Sequence, residues 1–268
     1  MRKHRHPDIF LSLCGILTIL TVLFIGTNVI VMTFQGTRSF LSNVMRTETL
    51  FAIGLSVRTA CVSTLLCFLL AVPTSFILER TSFPLRPVVE TALELTMSLP
   101  NIVLGLSMLI IFASPFGKAL KHAGFPVVFS QNGIVLAQLI VNLPFAIKLS
   151  TAAFRDVDVK LEHVAGLLGA SPFRQFSTIL LPLSRHTLIS ALILVWSRAL
   201  GEFGATLMLV GVTRMKTETL PAGIYLDVST NDLSGALSSA FMLLLISALS
   251  LGIANRLTKK NVRWSRHV

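Results

Sequence analysis

Arg198 and Glu202 stand four residues apart in the run SRALGEFGATLML, which is otherwise apolar. A charge at bilayer depth costs roughly 2.5–3.5 kcal/mol on insertion scales. On one continuous helix the two side chains share a face and can neutralise each other. Gly201 and Gly204 beside them allow a neighbouring helix close. Two roles fit this spacing. One is a structural ion pair that locks the span to a neighbour. The other is a charged pair on a translocation path, where Arg198 lowers the barrier for an anion and Glu202 keeps it from becoming a trap. Pro100-Asn101 is the second unusual pair inside an apolar run. Proline removes a helix hydrogen bond and frees a carbonyl, so a break at that depth faces protein or a water-filled path rather than lipid. Glu90 and Glu94, at i and i+4, fall in the first two turns of the same run, at the interface.

Other chemistries lack their residues. There is no G-x-x-x-x-G-K-[ST] phosphate loop, so energy for any pump must come from a partner or an ion gradient. There is no H-E-x-x-H, no paired cysteine spacing and no G-x-S-x-G. The six histidines are scattered near the ends of apolar runs, and Cys14, Cys61 and Cys67 fall inside such runs as small buried residues. No catalytic residue, metal ligand or cofactor site is expected.

The elements that must position these residues follow from composition. The chain is 268 residues long, 53% hydrophobic and only 13% charged, with several uncharged runs above 18 residues. This predicts an all-α polytopic membrane protein. Six spans are expected: Ile9 to Phe34, Phe51 to Leu78, Val88 to Ser114, Ser130 to Leu149, Thr187 to Val210 and Leu233 to Ala254. The first is too long for a signal-peptide core and has no A-x-A site after it, so it is read as a span. Arg58 is expected to snorkel, and Trp264 to sit at an interface. The net charge of +11 does not indicate nucleic acid, because the basic residues are spread between the spans. With both termini inside, fifteen Lys and Arg fall on the cytoplasmic side, counting Lys148 at the inner end of the fourth span, and six in outer segments, as the positive-inside rule requires.

Between the fourth and fifth spans lies a polar stretch, Arg155 to Pro182. Val157, Leu161, Val164, Ala165 and Leu168 have the spacing of one helix face. Gly169 is placed to end that helix, Ser171 to cap a second one and Pro172 to start it. Phe173, Phe176 and Leu180 give the second helix its apolar face, and Pro182 is expected to stop it. A short helix pair at 157–180 results. It is either a loop on the lipid surface or a docking element.

The letters of this stretch carry a resemblance. His163-Val164-Ala165, Gly169 and Ile179-Leu180-Leu181-Pro182 resemble the "EAA" loop of permease subunits in binding-protein-dependent ABC importers. The family's Glu position holds His163, with Glu162 one residue earlier, and Val164 replaces the first Ala. In that family the helix pair docks into a cleft on a separate ATPase. The resemblance implies coupling roles for Glu162, His163, Ala165, Gly169, Ala170, Ser171 and Pro172. The run Arg198 to Thr206 is similar to the fifth span of the oxyanion branch, and Thr219 to Tyr225 with Ser171 to Arg174 are similar to its molybdate and tungstate members. That implies a homodimer, an ATPase dimer below it and an extracellular oxyanion-binding protein above. It also implies alternating access along a path lined by the third and fifth spans, with Pro100, Asn101, Arg198 and Glu202 as path or gate residues. The division expected is 1–47 for the N-terminus and first span, 48–256 for the core and 257–268 for a basic tail. A sulfate-type permease is the near alternative. A self-sufficient ion-coupled carrier, with Glu90, Glu94, Arg198 and Glu202 as a proton relay, is the distant one. The polar helix pair argues against a carrier.

Overall fold

The computed structural model describes residues 9–264, and within them the chain is helical throughout. The N-terminal basic residues Arg2, Lys3 and Arg5 and the Trp264 side chain lie outside what is described. Five helices are long and apolar enough to cross a membrane, and a bent pair brings the number to six.

Helix α1 (Ile9–Asn43) runs along α12 (Leu233–Trp264) and buries none of its apolar window in the chain. The centre is α2 (Thr47–Arg80) against α6 (Gln131–Arg155). Lipid tails are as apolar as leucine, so this pair is held by close fit and hydrogen bonds. Its sequence supplies both. The buried face of α2 is a ladder of small residues, Ala52, Ser56, Ala60, Ser63, Cys67, Ala71 and Ser75, against Ala137, Ala146 and Ser150 of α6. Ser75 donates to the Ile147 carbonyl at 2.9 Å. The larger Leu65, Leu69 and Ile77 point outward, where lipid belongs.

The third span is broken. Helix α3 (Arg86–Ser98) and α4 (Asn101–Ala113) meet at 109°. Leu99 is extended at ψ 140°, as a residue before proline prefers, and Pro100 follows at ψ 134°. None of the α3 residues is buried in the chain. The connection after α4 holds a short helix, α5 (Pro115–His122).

Three expectations need correction. The fourth helix does not stop at Leu149 but runs on to Arg155, which puts Asn142 and Pro144 near its middle. Pro182 does not stop a helix. After α7 (Val159–Leu167) and α8 (Pro172–Gln175), a π turn at Phe176–Leu180 leads directly into α9 (Leu181–Leu200). Proline conflicts with the carbonyl four residues back, and a turn bonded over five residues makes the room; the Leu181 N–H accordingly reaches back to Phe176 O. The fifth span thus begins at Pro172 and runs 29 residues. It also ends early. Helix α9 stops at Leu200, Gly201 to Phe203 are outside any helix, and α10 (Gly204–Val210) resumes. A last short helix, α11 (Leu220–Ser229), precedes α12.

Candidate functional site

The hinge between α7 and α8 is built from local signals. Asp158 caps α7 by accepting from Lys160 N at 2.9 Å, and Ser171 caps α8 by accepting from Arg174 N at 3.4 Å. Gly169 closes α7 at φ +86°, a conformation open to glycine and costly for other residues. The Ala170 N–H returns to Ala165 O at 2.9 Å, and Gln175 donates across the joint to Ala170 O at 2.8 Å. His163, Gly169, Ser171 and Pro172 are exposed, and Ala165 and Ala170 half-buried.

The apolar stripe of α7 turns the other way from expectation. Val157 alone is buried, whereas Leu161, Val164 and Leu168 face out together with Leu167 and Phe173. The inward residue is Glu162, at 6% exposure, so it does not share the outer face with His163. Its carboxylate accepts from Arg80 Nε at 2.9 Å, and the ion pair is enclosed at both ends. Arg80 had no visible role in the sequence, where it ends a span beside a short connection.

The breaks in the third and fifth spans meet. Asn101 donates from Nδ2 to Glu202 Oε2 at 2.7 Å, and the Ala205 N–H donates to Glu202 Oε1 at 2.8 Å. A buried carboxylate thus caps the resumed helix and ties it to the start of α4. The contact is tight: a Cβ at Gly105 would stand 2.5 Å from the Ala205 carbonyl oxygen, and one at Gly204 would stand 3.3 Å from Asn101 Cβ. Gly201 has no such neighbour; it ends α9. On α6, Gln138 donates to Ala199 O at 3.0 Å, serving a carbonyl at the end of α9. Gln138, a polar residue inside an apolar run, was the overlooked signal for this junction.

Arg198 does not join Glu202. The helix ends between them, so the shared face assumed from their spacing does not form. Arg198 is exposed instead, its guanidinium 5.2 Å from the Phe145 ring centroid of α6. Pro100, Asn101 and Glu202 therefore form one hydrogen-bonded cluster, and Arg198 lies outside it on an exposed face, near enough for its charge to act on Glu202.

Each end of the bundle carries ion pairs. At the α7 end a cavity of about 320 Å³ is lined by Glu90, Glu94, Lys148, Thr151 and Arg155. Glu94 pairs with Lys148 at 3.3 Å, Glu90 with Arg86, and Arg155 with Glu79. At the opposite end Arg214 binds Glu218 at 2.7 Å and Asp227 at 2.6 Å. Burial opposes the Arg214 charge, but these two carboxylates outweigh it and hold its pKa above the usual value. Asp232 accepts from the Gly235 N–H and from Arg46, which hold its carboxyl below the usual range. Arg58 reaches the Gln131 side chain, whose amide donates to Lys216 O at 3.0 Å; it is held by protein groups. Among the described residues no group of three His, Cys, Asp or Glu could hold a metal ion.

Known proteins share this arrangement. The family described as "Binding-protein-dependent transport system inner membrane component" matches residues 71–263, from mid-α2 through the hinge to α12. The chain is similar to the molybdenum transport system permease protein ModB of Mycobacterium tuberculosis, at 37% identity over 76% of this chain and 78% of that one. It is 31% identical to ModB of Escherichia coli K12, over 78% of this chain and 93% of that one. Its fold is also that of a chain in the bacterial alginate ABC transporter crystallised with a pentasaccharide-bound periplasmic protein, at TM-score 0.73 and 16% identity over 94% and 95% of the two chains. The exposed glycine hinge, the broken third and fifth spans and these matches together establish that this multi-pass membrane protein belongs to the family of inner membrane components of binding-protein-dependent transport systems.

Proposed function

We propose that this chain is the permease subunit of an ABC importer for molybdate or tungstate. Two copies form the path, a separate ATPase dimer docks on the cytoplasmic hinge, and an extracellular oxyanion-binding protein delivers cargo to the other end. Both termini lie on the cytoplasmic side. The observation that carries this reading is the hinge: a capped joint that presents Leu167, Leu168 and Phe173 to the outside, at 88%, 84% and 77% exposure. Apolar side chains held out on a rigid polar element mark a surface made for another protein.

The mechanism follows from connectivity. The hinge continues through α8 and the π turn into α9, one helical unit of 29 residues, roughly 40 Å long at 1.5 Å per residue. Its far end is the break at Gly201 to Phe203, where Glu202 holds α10 and α4 together. Closure of the ATPase dimer moves the hinge, the unit carries the movement across the membrane, and the Asn101–Glu202–Ala205 contacts act as a gate that is remade in each state. The shift is only as large as the difference in ATPase contact between the two states. Arg198 makes no hydrogen bond to Glu202 and stands on an exposed face beside Phe145, with its charge acting on Glu202 through space. There it supplies the positive charge that lowers the barrier for a divalent oxyanion, while Glu202 is already occupied by its own donors.

The test is reconstitution. Liposomes holding this chain, its ATPase and the binding protein are expected to take up labelled molybdate when ATP is supplied on the hinge side. Uptake by this chain alone under a proton gradient would replace the importer with an ion-coupled carrier. Uptake of sulfate in preference to molybdate would move the cargo assignment to the sulfate branch.

A further inference from the structure

Arg80 is the last residue of α2, and its side chain is 8% exposed. It spends three donor contacts on three places. Nε donates to Glu162 Oε1 of α7 at 2.9 Å, and an Nη donates to Phe154 O at 2.8 Å and to Val157 O at 3.1 Å. The last two belong to the end of α6 and the turn after it, where Phe154 O also takes the Val157 N–H at 3.2 Å. One guanidinium thus closes α6, terminates α2 and grips α7. Among the described residues, no other side chain of α7 is hydrogen-bonded to a span.

The surrounding ion pairs are of a different kind. Arg155–Glu79, Lys148–Glu94 and Arg86–Glu90 each leave at least one partner more than a third exposed. Exposed pairs of this kind contribute little. Arg80 and Glu162 are both enclosed, and removing one leaves the other as an uncompensated buried charge. The two helices that Arg80 serves, α2 and α6, are packed against each other along their length by small residues.

We infer that Arg80 and Glu162 are positioning residues forming a second route for the stroke: the hinge moves α9 through the chain and moves the α2–α6 body through this buried strut. This rests on the proposed importer function. Without the strut, an ATPase bound at the hinge still turns α9, but half of the subunit no longer follows. Hydrolysis then proceeds without matching transport. Glu162 faces away from the exposed Leu167 and Leu168, so it serves this internal contact and not the partner's surface.

The experiment uses the full complex in proteoliposomes and reads oxyanion imported per ATP hydrolysed. Arg80→Gln and Glu162→Gln are each expected to lower that ratio about tenfold while hydrolysis continues. The double variant is expected to be no worse than Arg80→Gln alone, because that change already removes the link to Glu162. An unchanged ratio, with yield, hydrolysis and import falling together, would make the pair a structural tie only and overturn the strut. If the Arg80 variant fails to assemble, Glu162→Gln decides, since it keeps the side-chain shape. If the wild-type complex imports nothing, the importer reading fails before the strut is at issue.

Discussion

The hinge at Gly169 and the break at Glu202 both interrupt a helical path, yet they are built on opposite plans. The hinge meets its loose backbone groups within a few residues: Asp158 with Lys160 N, Ser171 with Arg174 N, Ala170 N with Ala165 O. The break meets its own from distant parts of the chain. Asn101 is 101 residues from Glu202, and Gln138 is 61 from Ala199. The difference follows from the surroundings. A polar interruption outside lipid can fall back on water, so local caps suffice. One at span depth has no water to use, and each unmet group costs several kcal/mol. Its partners must be placed by the fold.

The sharpest way to break that contrast is to force the two broken spans apart. Gly105→Val puts a branched side chain where a Cβ already meets the Ala205 carbonyl. Overpacking against backbone costs about 1–3 kcal/mol and sometimes more. A matching loss is expected in thermal unfolding of the purified chain, together with loss of uptake. A wild-type melting curve would show that α4 and α10 do not need this approach. Glu202→Ala comes next. It leaves the Asn101 amide and the Ala205 N–H without their acceptor, at about 1–3 kcal/mol for each group left unmet. Glu202→Gln keeps one acceptor oxygen and is expected to lose less than half as much stability. Equal losses would mean that charge, not hydrogen bonding, holds the junction. At the hinge, Gly169→Ala places a Cβ on a φ of +86°, with no atom near it to clash. The left-handed conformation costs about 1–2 kcal/mol. The expected result is weaker recovery of the ATPase with the permease and an unchanged melting curve of the spans. A lowered span stability would erase the distinction between a local and a long-range interruption.

The same contrast decides what could be read from the letters alone. Gly169, Ser171 and Pro172 each announce their role in one position, because caps and left-handed turns select residue types locally. Pro100 did likewise for the bend in the third span. Arg198 and Glu202 misled, because an i and i+4 spacing implies contact only on an unbroken helix. Glycine at Gly201 is too common in spans to declare a stop. The donors that make the stop tolerable, Asn101 and Gln138, lie on other helices. Pro182 misled in the reverse direction, since a π turn absorbed a residue that normally ends a helix. Arg80 was silent for a related reason. A terminal arginine beside a turn looks solvated until α6 and α7 are folded around it.

One contact separates the two factors that differ between hinge and break, range in sequence and exposure. Arg46 and Asp232 are 186 residues apart, like the partners at the break, but 47% and 33% exposed. If range in sequence set the energy, Asp232→Asn would cost as much as Glu202→Gln. If burial sets it, the cost is about 0–1 kcal/mol, as for other exposed pairs. The smaller value is expected. The pH dependence gives the same answer in a second way. The Gly235 N–H and Arg46 lower the Asp232 pKa from its ordinary 3.8. Its contribution is therefore fully present above pH 3.8 and is lost as pH falls through the lower folded value. Acid unfolding of wild type and Asp232→Asn should differ slightly at neutral pH and converge below that window. A gap that stays constant through the acid range would assign the effect to lost packing rather than to charge, while a gap as large as that of Glu202→Gln would make sequence range, not burial, the quantity that matters.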